Sequence, residues 1–430
     1  MVRRKLSGIR LAVCIIVILM TPLAHTDEPM HMGVASCASS VCHGRTTISA
    51  HNRVWMTEFR VWQDSDPHAG AYDTLLSEQS RRIAARLRIG NPAEAKVCLD
   101  CHADNVPTER RGGRFDLTDG VGCEACHGGA EDWLSSHADR KATHDDNLHR
   151  GMYPTSDPVA RGQLCLGCHQ GTPGQFASHD IMAAGHPQLL FELASYSPLQ
   201  PMHYAIDDDY VERKGPQDPI DLWLHGISAS ASMTLTMISR QTWNGDAVFP
   251  EVALYQCDSC HRETSKARGT AKGFAATLPS GSIPLNDTAL RLLVTVARAM
   301  DIEGASTASA RVDALAYAAV TQRSRLPATA AALAPWLDTV SSAMLSKMRS
   351  RAQLASIRRG LLEFAARGDA LYFPLAAQVY LGVVNVNTAL GELPATDTRM
   401  QQWFATVATE ASFDPAGFEL QGKRLFDEFR

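Results

Sequence analysis

Ten of the eleven cysteines in this 430-residue chain fall into five pairs, and a histidine follows each pair at once. The pairs are "CASSVCH" (37–43), "CLDCH" (98–102), "CEACH" (123–127), "CLGCH" (165–169) and "CDSCH" (257–261). Cys-x-x-Cys-His supplies two thiols that can add to the vinyl groups of a porphyrin and an imidazole placed to ligate its iron. Zinc sites use paired cysteines but do not need a histidine after each pair. Disulfides suit an exported chain and leave the five histidines unexplained, and iron–sulfur clusters gather four cysteines at one place. The expectation is five covalent haem c groups. They would be attached through Cys37, Cys42, Cys98, Cys101, Cys123, Cys126, Cys165, Cys168, Cys257 and Cys260, with His43, His102, His127, His169 and His261 as proximal ligands. The first pair has four intervening residues instead of two, which widens the loop without moving His43 relative to Cys42.

The other histidines carry a second message. Ten remain once the five proximal ones and His25 are set aside, and all precede residue 262; the last 169 residues hold neither Cys nor His. A surplus confined to the cysteine-bearing part is what a second imidazole on each iron would require. His68, His137, His179, His186 and His203 are the candidates. His179 and His186 lie seven residues apart, on one face if that stretch is helical. Gly185 and Pro187 argue for a break that lets the two serve different irons. His203 follows two prolines in an extended loop. His51, His144, His149 and His225 are reserves, and Arg53, Arg60, Arg110, Arg111 and Arg114 are candidate partners for haem propionates.

Residues 1–26 read as a secretory signal: a basic start, the short apolar run "LAVCIIVILM", and a weak cleavage region. Membrane contact is expected only if that segment stays uncleaved, and no other run is expected to span a bilayer. Removing it lowers Lys plus Arg from 41 to 37 against 46 Asp plus Glu, a side-chain balance of −9. An acidic, exported chain is a poor binder of nucleic acid. The expected location is the periplasm.

Residues 27–261 are expected to form a haem domain of short helices between long loops, 262–284 a linker, and 285–430 an α-helical domain. Five haems in 235 residues would supply much of the first domain's core, which fits an aromatic content of 7%. One helix is expected over 66–90, capped by Asp66 and ended by Gly90, and another over 219–243. The stretches 103–120 and 142–163 read as loops. The C-terminal part is Ala- and Leu-rich, with at least four helices broken at Pro327, Gly368 and Pro374, and reads as a bundle. The fold class is thus mostly α.

Several motifs resemble the tetrahaem cytochrome c-554 family. "DGVGCEACHGG" (119–129) resembles its third haem site, "DPHAGAYDTLL" (66–76) the segment supplying a distal histidine, and "SSHADR" (135–140) the turn after the third site. "HDIMAAGHPQLLFEL" (179–193) is similar to larger multihaem relatives. The resemblance covers roughly 35–205. It implies helices around closely packed haem pairs, with His137 serving the haem of His43 and His68 that of His169. It also implies that the haem of His102 is the counterpart of a five-coordinate one, although this chain has a fifth site and extra histidines.

Two functions follow as expectations. The first is a periplasmic electron carrier whose mostly bis-histidine haems pass electrons between redox proteins, or from a membrane-bound quinol oxidoreductase. The second is an oxidoreductase with one open iron, most naturally that of His102, acting on a small nitrogen or sulfur compound. No separate acid–base constellation marks a catalyst.

Overall fold

The computed structural model describes residues 28–49, 53–240, 251–261, 273–345, 349–370 and 372–430. The expected signal segment, His51 and the first part of the expected linker (262–272) lie outside these. Helices carry the described structure; strands are absent among the described residues, where only isolated bridges such as His31 with Arg111 occur.

Up to residue 214 the helices are short: Glu58–Ser65, Ala71–Leu75, Glu78–Leu87, Lys96–His102, Cys123–His127, His144–His149, Pro158–His169, His179–Ala183, Leu193–Tyr196 and Asp208–Lys214. The helix expected over 66–90 is two. Its first four residues after Asp66 form a turn. Ser77 then starts a new helix by accepting from the Ser80 N–H, and Arg88 ends it in the left-handed region. Asp66 starts no helix, because its carboxylate is held by the His68 backbone and imidazole. The stretch 142–163, expected as loop, contains one whole helix and the first half of another. Thr143 and Asp146 make a reciprocal capping box for the first, and Asp157 with Pro158 starts the second.

This part has little apolar core of its own. One small cluster of Leu75, Ala93, Leu99 and Ala103 is buried. Of fifteen exposed large apolar side chains among the described residues, eleven lie between Val41 and Val211.

The rest packs conventionally. Helix Pro219–Arg240 sits centrally, packed against Thr288–Ala299, Leu326–Ala331, Ala334–Leu345 and Phe373–Leu390 and also against Pro158–His169 and Leu193–Tyr196. Trp223 on it is fully buried. Gly382 lies against Trp223 so closely that a Cβ would come within 2.7 Å of the indole. Pro327 and Pro374 occupy the first turns of helices Leu326–Ala331 and Phe373–Leu390. Phe373–Leu390 is long and apolar enough to cross a membrane, with mean hydropathy 1.2, but 61% of it is buried among its neighbours. One apolar cluster runs from Ala194 to Leu425 and includes Leu254, Tyr255 and Leu285. The segment carrying the fifth cysteine pair is therefore docked on the C-terminal helices. Gln256 N–H donates to Pro284 and the Tyr255 hydroxyl to Ala319.

Candidate functional site

Helical geometry assembles three of the five attachment sites. In Lys96–His102, Cys123–His127 and Pro158–His169 the two cysteines stand at i and i+3 and the histidine at i+4, so thiols and imidazole share one face. The fifth site is a 3₁₀ turn over Cys257–Ser259. The first is a wider turn. His43 N–H donates back to the Cys37 carbonyl at 3.1 Å, and Ser39 O accepts from both Cys42 and Gly44. Gly44 is required there, since a Cβ would fall 1.9 Å from Ala38 O. The extra residues loop outward, leaving Val41 77% exposed.

The described cysteines are all free. Among the described residues no three His, Cys, Asp or Glu side chains converge as a structural zinc site would need. Cysteines of different sites do meet. Hydrogen bonding between Cys37 and Cys123 holds the first below and the second above the usual thiol range. Hydrogen bonding from Cys168 brings Cys101 down to about 7, and Gln175 Nε2 lies 3.6 Å and 3.5 Å from the two sulfurs. Burial, then the neighbouring Cys165, pushes Cys126 up to about 12. The sites thus adjoin in the order first, third, fourth, second.

Each of the five proximal imidazoles faces a second imidazole. Ring centres stand 6.1 Å apart for His43 and His137, 6.4 Å for His102 and His186, and 6.2 Å for His127 and His203. They stand 6.1 Å apart for His169 and His68 and 6.3 Å for His261 and His179. Since an imidazole–metal bond is about 2.0–2.1 Å and a ring centre lies about 1 Å behind its nitrogen, two imidazoles on opposite sides of one metal stand roughly 6 Å apart. Ring planes are nearly parallel in the first pair (11°) and inclined at 34° in the fifth. They are close to perpendicular in the second, third and fourth (85°, 84° and 90°). His179 begins helix His179–Ala183 and His186 lies beyond its end, after Gly185 at φ +118°. The two rings accordingly address different partners, which sets the fifth site beside the second.

Several rings are oriented from behind. Nδ1 meets Glu58 Oε2 at 2.9 Å in His43, Asp66 Oδ1 at 2.8 Å in His68, and Ala71 O at 3.1 Å in His102. It meets Trp133 O at 3.1 Å in His137 and Pro187 O at 2.8 Å in His186. Donation through Nδ1 leaves Nε2 as the free lone pair, the arrangement that metal-binding histidines need. Burial lowers the pKa of His102, His137, His169 and His203, and takes His127 down to about 3. These rings are neutral at pH 7 and able to ligate. His43 is raised, chiefly by its hydrogen bond to Glu58. Glu58 has no local sequence signal. Asp66 stands two residues before His68, at a position that suits either a helix cap or a partner for that ring.

The remaining groups have protein partners or bury quietly. His31 meets Asp104 at 2.7 Å, His225 is buried on the central helix, and His144 and His149 lie on their own short helix. Arg53 pairs with Asp209, Arg110 with Glu28, and Arg111 donates to Val106 O. Arg60 bonds Gln63.

Residues 36–128, spanning the first three cysteine pairs, match the family model described as cytochrome c554 and c-prime. The chain is a c-type cytochrome resembling that family. Its cofactor is covalently bound haem c. No curated protein and no solved structure matches it. The fourth and fifth pairs, the distal candidates beyond residue 128 and the C-terminal helices lie outside the matched segment. The residues present fit the cofactor on two counts: facing imidazoles at metal-bridging separation and two thiols in the same short motif as each proximal ring.

Proposed function

We propose that this cytochrome carries five haem c groups and transfers electrons along them in the periplasm. The proximal and distal ligands would be His43 with His137, His102 with His186, His127 with His203, His169 with His68, and His261 with His179. The observation that carries this reading is the pairing of all five proximal rings with a second imidazole at 6.1–6.4 Å. Each haem, when bound, supplies a one-electron iron couple.

The protein's share is placement and tuning. Contacts between Cys37 and Cys123 and between Cys101 and Cys168 support a continuous order from the first site through the third, fourth and second to the fifth. Glu58 and Asp66 lend carboxylate character to His43 and His68, which strengthens those imidazoles as donors to the oxidised metal. The other bonded rings have neutral partners. The acidic surface suits redox partners with basic faces, a quinol-side donor among them. The alternative, a catalyst with an open iron at His102, has less support because His186 faces that ring. Carbon monoxide addition to the reduced protein tests the choice: an unchanged spectrum fits the carrier, and a carbonyl complex favours the catalyst.

A further inference from the structure

The fourth site is gripped from a part of the chain that carries no cysteine or histidine. Phe191 stacks on the proximal ring of His169, with centres 4.3 Å apart and planes 21° apart. Phe191 is held in turn from helix Phe373–Leu390, where Gln378 Nε2 donates to Phe191 O at 3.2 Å. Asn385, two turns on, donates to Glu192 Oε2 at 3.0 Å and approaches Ser195 Oγ at 3.3 Å. Glu192 is 3% exposed and also accepts from the Ala194 and Ser195 N–H groups. On the other flank Gln170, the residue after His169, exchanges hydrogen bonds with Ser230 and Thr234 on the central helix.

We infer that the C-terminal helices act as a positioning device for the fourth haem, fixing the ring plane of His169 through Phe191. The inference rests on reading His169 and His68 as that iron's ligands. A ring stacked at 21° cannot turn far without losing its covered face. The plane it fixes is 90° from that of His68. Perpendicular axial imidazoles leave the two π-type iron d orbitals nearly degenerate, whereas parallel ones split them. With haem bound, the ring plane would govern the electron paramagnetic resonance anisotropy of that one iron and contribute to its reduction potential. Gln378 and Asn385 lie far along the chain from the cysteines they serve, which gives the histidine-free region a part in electron transfer.

The test compares Phe191→Leu, Phe191→Tyr and Gln378→Ala in the haem-loaded full chain, by electron paramagnetic resonance and spectroelectrochemical titration. The expected result is loss or shift of one highly anisotropic low-spin signal and a moved potential for one haem in Phe191→Leu, a smaller change in Gln378→Ala, and wild-type behaviour in Phe191→Tyr, which keeps the stack. Wild-type spectra and potentials in both Phe191→Leu and Gln378→Ala would overturn the inference. His68→Ala separates the underlying reading. One iron turning high-spin supports the ligand pair. Five irons staying low-spin removes the pair, and the inference with it.

Discussion

Replacing Glu58 with Gln tests how the protein sets the first haem's potential. Glu58 Oε2 accepts from His43 Nδ1 at 2.9 Å, with the Glu58 side chain 16% exposed. Glu58→Gln would keep a neutral acceptor in nearly the same volume and remove the charge. A hydrogen bond to a charged group contributes about 1.5–3 kcal/mol and a neutral one about 0.5–1.5, so roughly 1 kcal/mol is lost. The loss falls mainly on the ferric state, whose extra positive charge the carboxylate stabilises. For a one-electron couple about 59 mV is a tenfold change, or about 1.4 kcal/mol, so the first haem's potential should rise by about 40 mV. Spectroelectrochemical titration should show one component moving and four staying. The reasoning is refuted if all five haems remain bound and no potential moves, or if one falls. The same carboxylate predicts a pH response. Burial raises the Glu58 pKa, but the hydrogen bonds from His43 and the backbone outweigh it and leave the group below the ordinary glutamate value. The group's contribution to stability is then complete above that ordinary value and is lost as pH falls through the lowered one. The first potential should be flat from about pH 5 to 8 and rise only on stronger acidification.

Three further outcomes follow. Glu124, 3% exposed inside the third attachment motif, accepts from the N–H groups of Met32, Gly33 and Ala130 at 2.6–2.7 Å; Glu124→Ala strands two buried donors and one half-buried donor and should cost about 3–5 kcal/mol in denaturant unfolding. Cys37→Ser should leave the first haem attached through Cys42 alone, with unchanged intact mass apart from the substitution and a shifted absorption band for a single-thioether haem. Gly382→Val drives a side chain into Trp223 and should destabilise the C-terminal core by about 1–3 kcal/mol, read as a lowered melting temperature with the haem bands initially unchanged.

The cysteine pairs and their histidines were legible because the attachment chemistry is local, confined to five or seven consecutive residues. The central helix and the C-terminal helices were legible from apolar spacing and proline position. Helix 66–90 was not, because Asp66 could serve either a cap or His68, and the sequence does not say which bond forms. The helices within 142–163 were masked by glycine, proline and charge, although the caps Thr143 and Asp157 stood in plain view. What faces each proximal ring is a tertiary matter. His186 opposes His102 from 84 residues away and Glu58 backs His43 from fifteen, with no periodicity to announce either. The hold of Gln378 and Asn385 on the fourth site spans nearly two hundred residues and leaves no sequence trace at all.

The measurement that bears most directly on the account is quantitative electron paramagnetic resonance of the fully oxidised protein, with the haem count fixed by intact mass. Five haems, no high-spin ferric signal, and low-spin signals dividing into three highly anisotropic and two rhombic species are expected from the ring-plane angles of the five histidine pairs. A high-spin component of one iron per molecule, or a mass showing fewer than five haems, would contradict it.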